Sequence, residues 1–198
     1  GLFLHRGFKW TKLIGHLFSN TEGIYGTSVN VSSTYIFLFI VFGEIMNKCG
    51  MGKFFNDIAI GLAGHTKGGP AKVAVIAAGL LGSINGSAIA NVVTTGSFTI
   101  PLMKKIGYSK EFSGAVSSTA SVGGQLLPPI MGAAAFIMAE TLGIKYKEIV
   151  VAAAIPALIY YLGSIFQIQL RASKDKLDGM PKDQLPKVKE TLKMYWHL

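Results

Sequence analysis

Two long uncharged stretches, each interrupted near its middle, constrain this chain more than any other feature. No side chain between Val73 and Pro101 carries a charge, and the run is broken by GSINGS at Gly82–Ser87. The stretch from Phe112 to Ala139 is also uncharged and is broken by GGQLLPP at Gly123–Pro129. Glycine, serine, asparagine and proline favour turns and caps over helix interiors. In lipid, such breaks are tolerated only where the backbone is buried in protein or lines a cavity.

The composition favours a membrane protein. Half of the 198 residues are hydrophobic and 15% are charged, whereas about a quarter are charged in a soluble domain. The net charge of +9 does not indicate nucleic-acid binding, because the basic residues lie in short loops and a tail without interleaved aromatics. Cys49 is the single cysteine, which excludes an intramolecular disulfide and a cysteine zinc cluster. The sequence predicts an all-α polytopic membrane protein.

The apolar runs predict seven segments. They are an interfacial or surface amphipathic segment (1–28), a transmembrane helix (29–48), a surface arm helix (52–64), a re-entrant helical hairpin (71–103), a discontinuous transmembrane helix (111–140), a transmembrane helix (149–169) and a cytoplasmic polar tail (170–198). Each arm of the hairpin has about 12 to 16 residues, whereas a transmembrane helix needs about 20. The chain begins at Gly1 without a methionine or a signal peptide, so we expect it to be part of a longer protein.

The distribution of basic residues supports this topology. If the hairpin returns to its own side, 14 of the 19 Lys and Arg residues lie on one side of the membrane, in residues 48–72, 104–110 and 171–193. Cytoplasmic loops carry the excess of Lys and Arg in membrane proteins. The base of the hairpin and the tail are therefore predicted to be cytoplasmic.

Two broken helices close together in sequence indicate a binding site at the middle of the membrane. At the first break Ser83 and Asn85 offer oxygens, and Gly86 permits a close backbone approach. At the second break Gly123, Gly124 and Gln125 offer carbonyls and an amide. We also expect Pro128 and Pro129 to begin the next half-helix, and Ser87, Asn91 and Thr95 to share one face through their spacing of four.

The absence of Lys and Arg from both broken segments predicts that an anionic substrate is held by N–H groups, hydroxyls and amides, with its charge balanced by bound cations. That favours Na⁺ coupling. Proton coupling would need a buried carboxylate, for which Glu44 is a weak candidate because it can pair with Lys48. No Walker A, HExxH or GxSxG pattern occurs, so we expect neither an enzyme nor an organic cofactor.

Two alternatives remain open at this point. One is an ion channel whose re-entrant loop forms the pore. The other is a membrane scaffold without transport activity, in which the small residues only permit packing. For the stripe Ser113, Ser117 and Ser121, packing is the favoured interpretation.

The run from Gly79 to Glu140, together with the preceding FGEIMNKCGMGKFFNDIAIGLAGHTKGGPAKVAV, resembles the large membrane subunit of tripartite ATP-independent periplasmic (TRAP) transporters. The likeness extends over roughly residues 20–195. The variant NVVTTGS at Asn91–Ser97, with GQLLPPIMG at Gly124–Gly132, is similar to fused permeases of the TAXI-type branch.

This resemblance implies an elevator-type Na⁺ symporter in a bacterial or archaeal inner membrane. It would import organic acids, such as dicarboxylates or acidic amino acids, from a soluble periplasmic binding protein, with small-subunit scaffold helices fused or separate. By resemblance, the Na⁺ ligands are Ser83, Asn85, Gly86, Gly123, Gly124 and Pro128. Substrate would lie alongside, near Ser87, Asn91, Thr95, Gln125 and Pro129. The second, inverted hairpin repeat is not in these residues, so we expect them to form half of a site.

Overall fold

The computed structural model describes residues 7–181, 185–186 and 188–195, and this part of the chain is helical without strands. Its helices are α1 (Trp10–Phe18), α2 (Thr27–Val31), α3 (Phe37–Lys48), α4 (Met51–Ala63), α5 (Gly69–Asn85), α6 (Ala88–Ile106), α7 (Lys110–Gly123), α8 (Ala133–Leu142), α9 (Tyr146–Lys174) and α10 (Val188–Met194). A π-helical turn, Ser32–Ile36, joins α2 to α3. The prediction of an all-α chain is confirmed over these residues.

Two of the described helices are long and apolar enough to cross a bilayer. One runs continuously through α2, the π turn and α3 over Thr27–Lys48 (22 residues), and the other is α9 with 29 residues. In the most apolar 18-residue stretch of each helix, only 11% of the residues are buried in the protein. Most of their large side chains therefore face outward. Both lengths exceed the roughly 20 residues that span a hydrocarbon core.

Helix α5 lies at the centre of the fold. Ala71, Ala74, Val75 and Ala78 of α5 are buried against a cluster from α6, α7 and α9 that contains Met103, Val116, Ala120 and Ile168. On another side, Val73 and Ala77 pack against Ala59, Ile60 and Ala63 of α4. Alanine and glycine on α5 allow the neighbouring helices to approach closely, and the centre of the molecule is therefore built around this one helix.

The hairpin of α5 and α6 has a shorter turn than the sequence predicted. Helix α5 continues through Gly82 and Ser83 to Asn85, and only Gly86 and Ser87 lie outside helix. Gly86 adopts a left-handed conformation (φ 59°) and donates its N–H to Gly82 O, which ends α5. Ser87 then caps α6 by accepting the N–H of Ala90.

The second break also differs from the prediction. Helix α7 ends at Gly123 and α8 begins at Ala133, so Pro128 and Pro129, joined by a cis peptide bond, lie inside the connecting loop and do not begin the half-helix. Two hydrogen bonds hold this loop in a non-helical path. Ile130 N–H donates to Ser83 O of the hairpin, and Gly132 N–H donates back to Gln125 O.

The ends of the chain pack unequally. Helix α1 has no buried residue, and residues 1–6 of the predicted amphipathic segment lie outside the described residues. In the tail, Val188 of α10 lies against Gly61 of α4, and the ring of Tyr195 packs at a tilt against Phe54 of α4. The remaining tail positions 182–184, 187 and 196–198 are outside the described residues.

Gly68 provides a test of the packing at the base of the hairpin. It has φ +68°, and an added Cβ would lie 2.6 Å from Ala172 Cβ and 2.7 Å from the Tyr108 hydroxyl. Gly143 has nearly the same backbone (φ +65°) but nothing within 4 Å of such a Cβ. We expect Gly143→Ala to cost about 1–2 kcal/mol from left-handed strain alone, and Gly68→Ala to cost clearly more. Thermal midpoints of the full-length protein in detergent test this; equal shifts would contradict the packing described here.

Candidate functional site

The two breaks in the helices lie directly against each other. A Cβ placed on Gly82 would lie 2.7 Å from Gly124 Cα, and one placed on Gly86 would lie 2.1 Å from Met131 O. Ser83 O accepts the N–H of Ile130 at 3.0 Å. The tip of the hairpin is therefore in backbone contact with the loop between α7 and α8.

Four helix ends meet in this region. Helices α5 and α7 end here, at Asn85 and Gly123, while α6 and α8 begin here, after Ser87 and Gly132. The carboxyl end of a helix carries a partial negative charge and the amino end a partial positive charge. The region thus combines a place that favours a cation with a place that favours an anion.

The carbonyl groups at the end of α7 are held in turns. Gly123 O accepts the N–H of Leu126 at 3.0 Å, and Gly124 O accepts that of Leu127 at 3.3 Å. A carbonyl oxygen has two lone pairs, so each of these oxygens can still bind a second partner. In the hairpin, the Ser83 hydroxyl donates to Leu80 O, and the side chain is almost fully buried.

A cavity of about 240 Å³ opens beside the tip. Asn85, Gly86, Ser87 and Gln125 line its polar part, and apolar residues of α3, α8, the π turn and the loop between α7 and α8 line the remainder. Four residues that the sequence singled out are thus brought to one cavity.

The orientation of the Asn85 amide follows from its hydrogen bond. Asn85 Oδ1 accepts the backbone N–H of Ser87 at 3.1 Å. Its Nδ2 is buried and has no hydrogen-bond partner among the described residues. The tip of the hairpin therefore holds a buried amide donor, on a residue that lines the cavity, without a partner among the described residues.

Asn91 and Thr95 lie outside this cavity, although Asn91 Nδ2 is 2.7 Å from a Cβ placed on Gly82 and so lies beside the contact between the breaks. Both are buried where α6 packs against α5 and α7, and neither lines the cavity. Asn91 Nδ2 donates to Ala78 O of α5 at 2.7 Å, and the Thr95 hydroxyl donates to Asn91 O at 2.7 Å. They share a face, but that face joins the arms of the hairpin.

The two prolines also lie away from the cavity at the tip. Pro128 lines a separate apolar cavity of about 470 Å³ between α5 and α9. Pro129 lies near α9, since its carbonyl is 3.4 Å from the Tyr146 hydroxyl.

Sequence reasoning did not find Gly43 on α3 or Gly132 after the prolines. A Cβ on Gly43 would lie 3.3 Å from Asn85 Cα, so α3 closes one side of the tip. Gly132 precedes α8 and lies against Gln125. A glycine in an otherwise bulky apolar helix was the available signal for Gly43.

The contact between the breaks predicts which glycines are essential. A side chain at Gly82 or Gly124 forces the hairpin away from α7, and such overpacking costs about 1–3 kcal/mol. Gly114, on the same helix as Gly123, has nothing within 4 Å of an added Cβ. We expect Gly82→Ala and Gly124→Ala to lower the thermal midpoint of the full-length protein, and Gly114→Ala to leave it unchanged or raise it. A neutral Gly82→Ala would show that the contact is not required.

The chain is similar to known membrane permeases over nearly its whole length. The model of the family "Tripartite ATP-independent periplasmic transporter, DctM component" matches residues 2–198. The C4-dicarboxylate TRAP transporter large permease protein DctM of Vibrio cholerae is 31% identical over 155 residues, covering 78% of this chain and 33% of that relative. The 2,3-diketo-L-gulonate TRAP transporter large permease protein YiaN of Escherichia coli is 25% identical over 175 residues, covering 86% and 39%.

The chain thus spans about a third of the length of these curated relatives. The family match covers both helix breaks and the cavity between them. We conclude that this chain belongs to the DctM component family of the tripartite ATP-independent periplasmic transporters, and corresponds to part of the large permease subunit.

Proposed function

We propose that this chain forms the first hairpin repeat of the permease subunit of a Na⁺-coupled secondary transporter that imports organic acids. Its substrate is delivered by a periplasmic binding protein, and small-subunit scaffold helices, fused in the TAXI-type manner, complete the membrane assembly. The names of the relatives refer to C4-dicarboxylates and 2,3-diketo-L-gulonate, which supports an organic acid as the substrate. These relatives also support the proposal that this chain lies in the inner membrane and crosses it several times.

The meeting of four helix ends carries this proposal. At the carboxyl ends of α5 and α7, the backbone oxygens around Ser83, Gly86, Gly123 and Gly124 form a neutral oxygen-rich region suited to Na⁺. Asn85 Oδ1 has a second lone pair for the same ion. Pro128 shapes the loop that follows and lies further from the tip.

The substrate carboxylate is assigned to the cavity at the tip. Asn85, Ser87 and Gln125 line it, and α6 and α8 present their amino ends nearby. These groups bind an anion without a formal positive charge. In this proposal Asn91 and Thr95 support the site by holding the second arm of the hairpin, and Pro129 supports the loop.

In this proposal, Na⁺ and the substrate carboxylate bind next to each other, and their attraction couples the binding of one to the binding of the other. Two unit charges about 4 Å apart attract by about 4 kcal/mol at an effective dielectric of about 20. A carboxylate in a cavity without basic side chains therefore binds much better once Na⁺ is present. The remaining ligands of the substrate come from parts of the permease outside this third of its length.

The proposed re-entrant topology is supported by the lengths of the apolar segments. At 1.5 Å per residue, the uncharged part of α5, from Val73 to Asn85, is about 20 Å long, and that of α6, from Ala88 to Met103, is about 24 Å long. A hydrocarbon core is about 30 Å thick. A hairpin whose lysines remain at the surface therefore ends within the membrane, where its tip can meet the loop of α7 and α8.

Transport assays test the proposal as a whole. The full-length permease, reconstituted in proteoliposomes with its binding protein, is expected to take up a carboxylate compound saturably, and only with an inward Na⁺ gradient. Choline in place of Na⁺ and omission of the binding protein are the controls. Single-channel currents, or uptake that is equal in choline, would contradict the proposal.

Asn85→Asp separates the two roles of Asn85. Aspartate still accepts the Ser87 N–H, so the turn is preserved, but the amide donor assigned to the substrate in this proposal becomes an anionic oxygen. We expect the substrate KM to rise at least tenfold, which corresponds to about 1.4 kcal/mol, while Na⁺ still stimulates the residual uptake. Asn85→Ala should weaken both dependences. An unchanged KM in Asn85→Asp would place the substrate elsewhere.

A further inference from the structure

The end of α7 is completed by a side chain from α9. Gly124 N–H donates to Ser121 O at 3.2 Å, and Gln125 N–H donates to Val122 O. These tight turns leave Ala120 O without the amide that would bond it in a regular helix. The hydroxyl of Tyr161 donates to that carbonyl at 2.9 Å, and Ala120 is fully buried.

The ring of Tyr161 also contacts the hairpin. A Cβ on Gly79 of α5 would lie 3.1 Å from this ring, and a Cβ on Gly123 would lie 3.0 Å from its hydroxyl. Gly79 is three residues before Gly82, which touches Gly124. Tyr161 of α9 therefore contacts both α5 and the end of α7. On α5 this contact lies about one helical turn from the place where Gly82 touches Gly124.

Tyr160 provides an internal comparison. Its hydroxyl donates to Thr119 O at 2.7 Å, and its ring lies beside Gly123. Thr119 is four residues before Gly123, the last residue of α7, so the regular helical pattern already assigns an amide to its carbonyl. The bond from Tyr160 is an addition to the helix, whereas the bond from Tyr161 replaces a missing one.

We propose that Tyr161 is a positioning residue that sets the Na⁺ affinity of the site. It touches neither the ion nor the substrate; it fixes the direction of the last turn of α7, and with it the oxygens of Gly123 and Gly124. This inference rests on the proposed function, because those oxygens are its assigned Na⁺ ligands. A bound cation without charged ligands depends on the placement of a few dipoles, so a small rotation of this turn weakens it.

The test compares Tyr161→Phe with Tyr160→Phe in the full-length transporter, reconstituted with its binding protein. Each variant removes one hydroxyl and keeps the ring. For Tyr161→Phe we expect the Na⁺ concentration for half-maximal uptake to rise roughly three- to tenfold, as for the loss of one buried hydrogen bond. The substrate KM at saturating Na⁺ should change less than about twofold, and Tyr160→Phe should change neither value by more than about twofold.

A positioning residue should change the Na⁺ affinity and leave the substrate KM at saturating Na⁺ nearly unchanged, whereas a general loss of structure should change both. An unchanged Na⁺ dependence in Tyr161→Phe overturns the inference, and so does a parallel rise of the substrate KM at saturating Na⁺. An equal effect of Tyr160→Phe also overturns it, because the missing amide would then be irrelevant. Na⁺-independent uptake by the unmodified protein is a separate result: it overturns the proposed function, and the inference with it.

Discussion

Gly82 and Gly124 bring two backbones into contact, and the other features of the site depend on that approach. An added Cβ on either residue would lie within 2.7 Å of the other's Cα. Every helix end leaves backbone groups without helical partners, and in an apolar environment these groups must find partners nearby. Here the breaks satisfy each other, since Ser83 O accepts the N–H of Ile130 across the contact. Two uncharged, broken segments are stable together because neither break faces lipid alone.

Buried polar residues of α6 and α7 also permit close packing of the helices around this contact. Asn91, Thr95 and Thr99 of α6 are buried, as are Ser113 and Ser117 of α7. The two threonines bond back to carbonyls of their own helix, which satisfies a hydroxyl without requiring a partner on the neighbouring helix. A Cβ on Gly96 would lie 2.7 Å from Ser117 Oγ. Small side chains therefore permit tight packing, as membrane helices require. The buried Ser117 hydroxyl is the exception to internal satisfaction, since it has no hydrogen-bond partner among the described residues.

The sequence predicted the helices and the existence of both breaks, because absence of charge and presence of glycine or proline are local properties. It could not predict what each glycine does. Gly86 makes a turn, whereas Gly82, beside it in the same predicted break, lies inside α5 and permits a contact with a residue 42 positions later. Spacing likewise placed Asn91 and Thr95 on one face, but which neighbour that face meets is decided by tertiary packing. Gly43 and Tyr161 were missed for the same reason, since each acts on an element distant in sequence.

A site built from neutral groups has a consequence that a charged site lacks. A carboxylate ligand attracts Na⁺ over a long range, whereas carbonyl and amide dipoles act only when several are correctly oriented at once. In the proposed site the dipoles come from two separate elements, the hairpin and the end of α7. Cation binding therefore favours the arrangement in which these elements touch, and a ligand can shift a conformational equilibrium only through such a difference in affinity. Under the proposed function, the neutral, glycine-lined contact would link occupancy by the ion to the position of the hairpin.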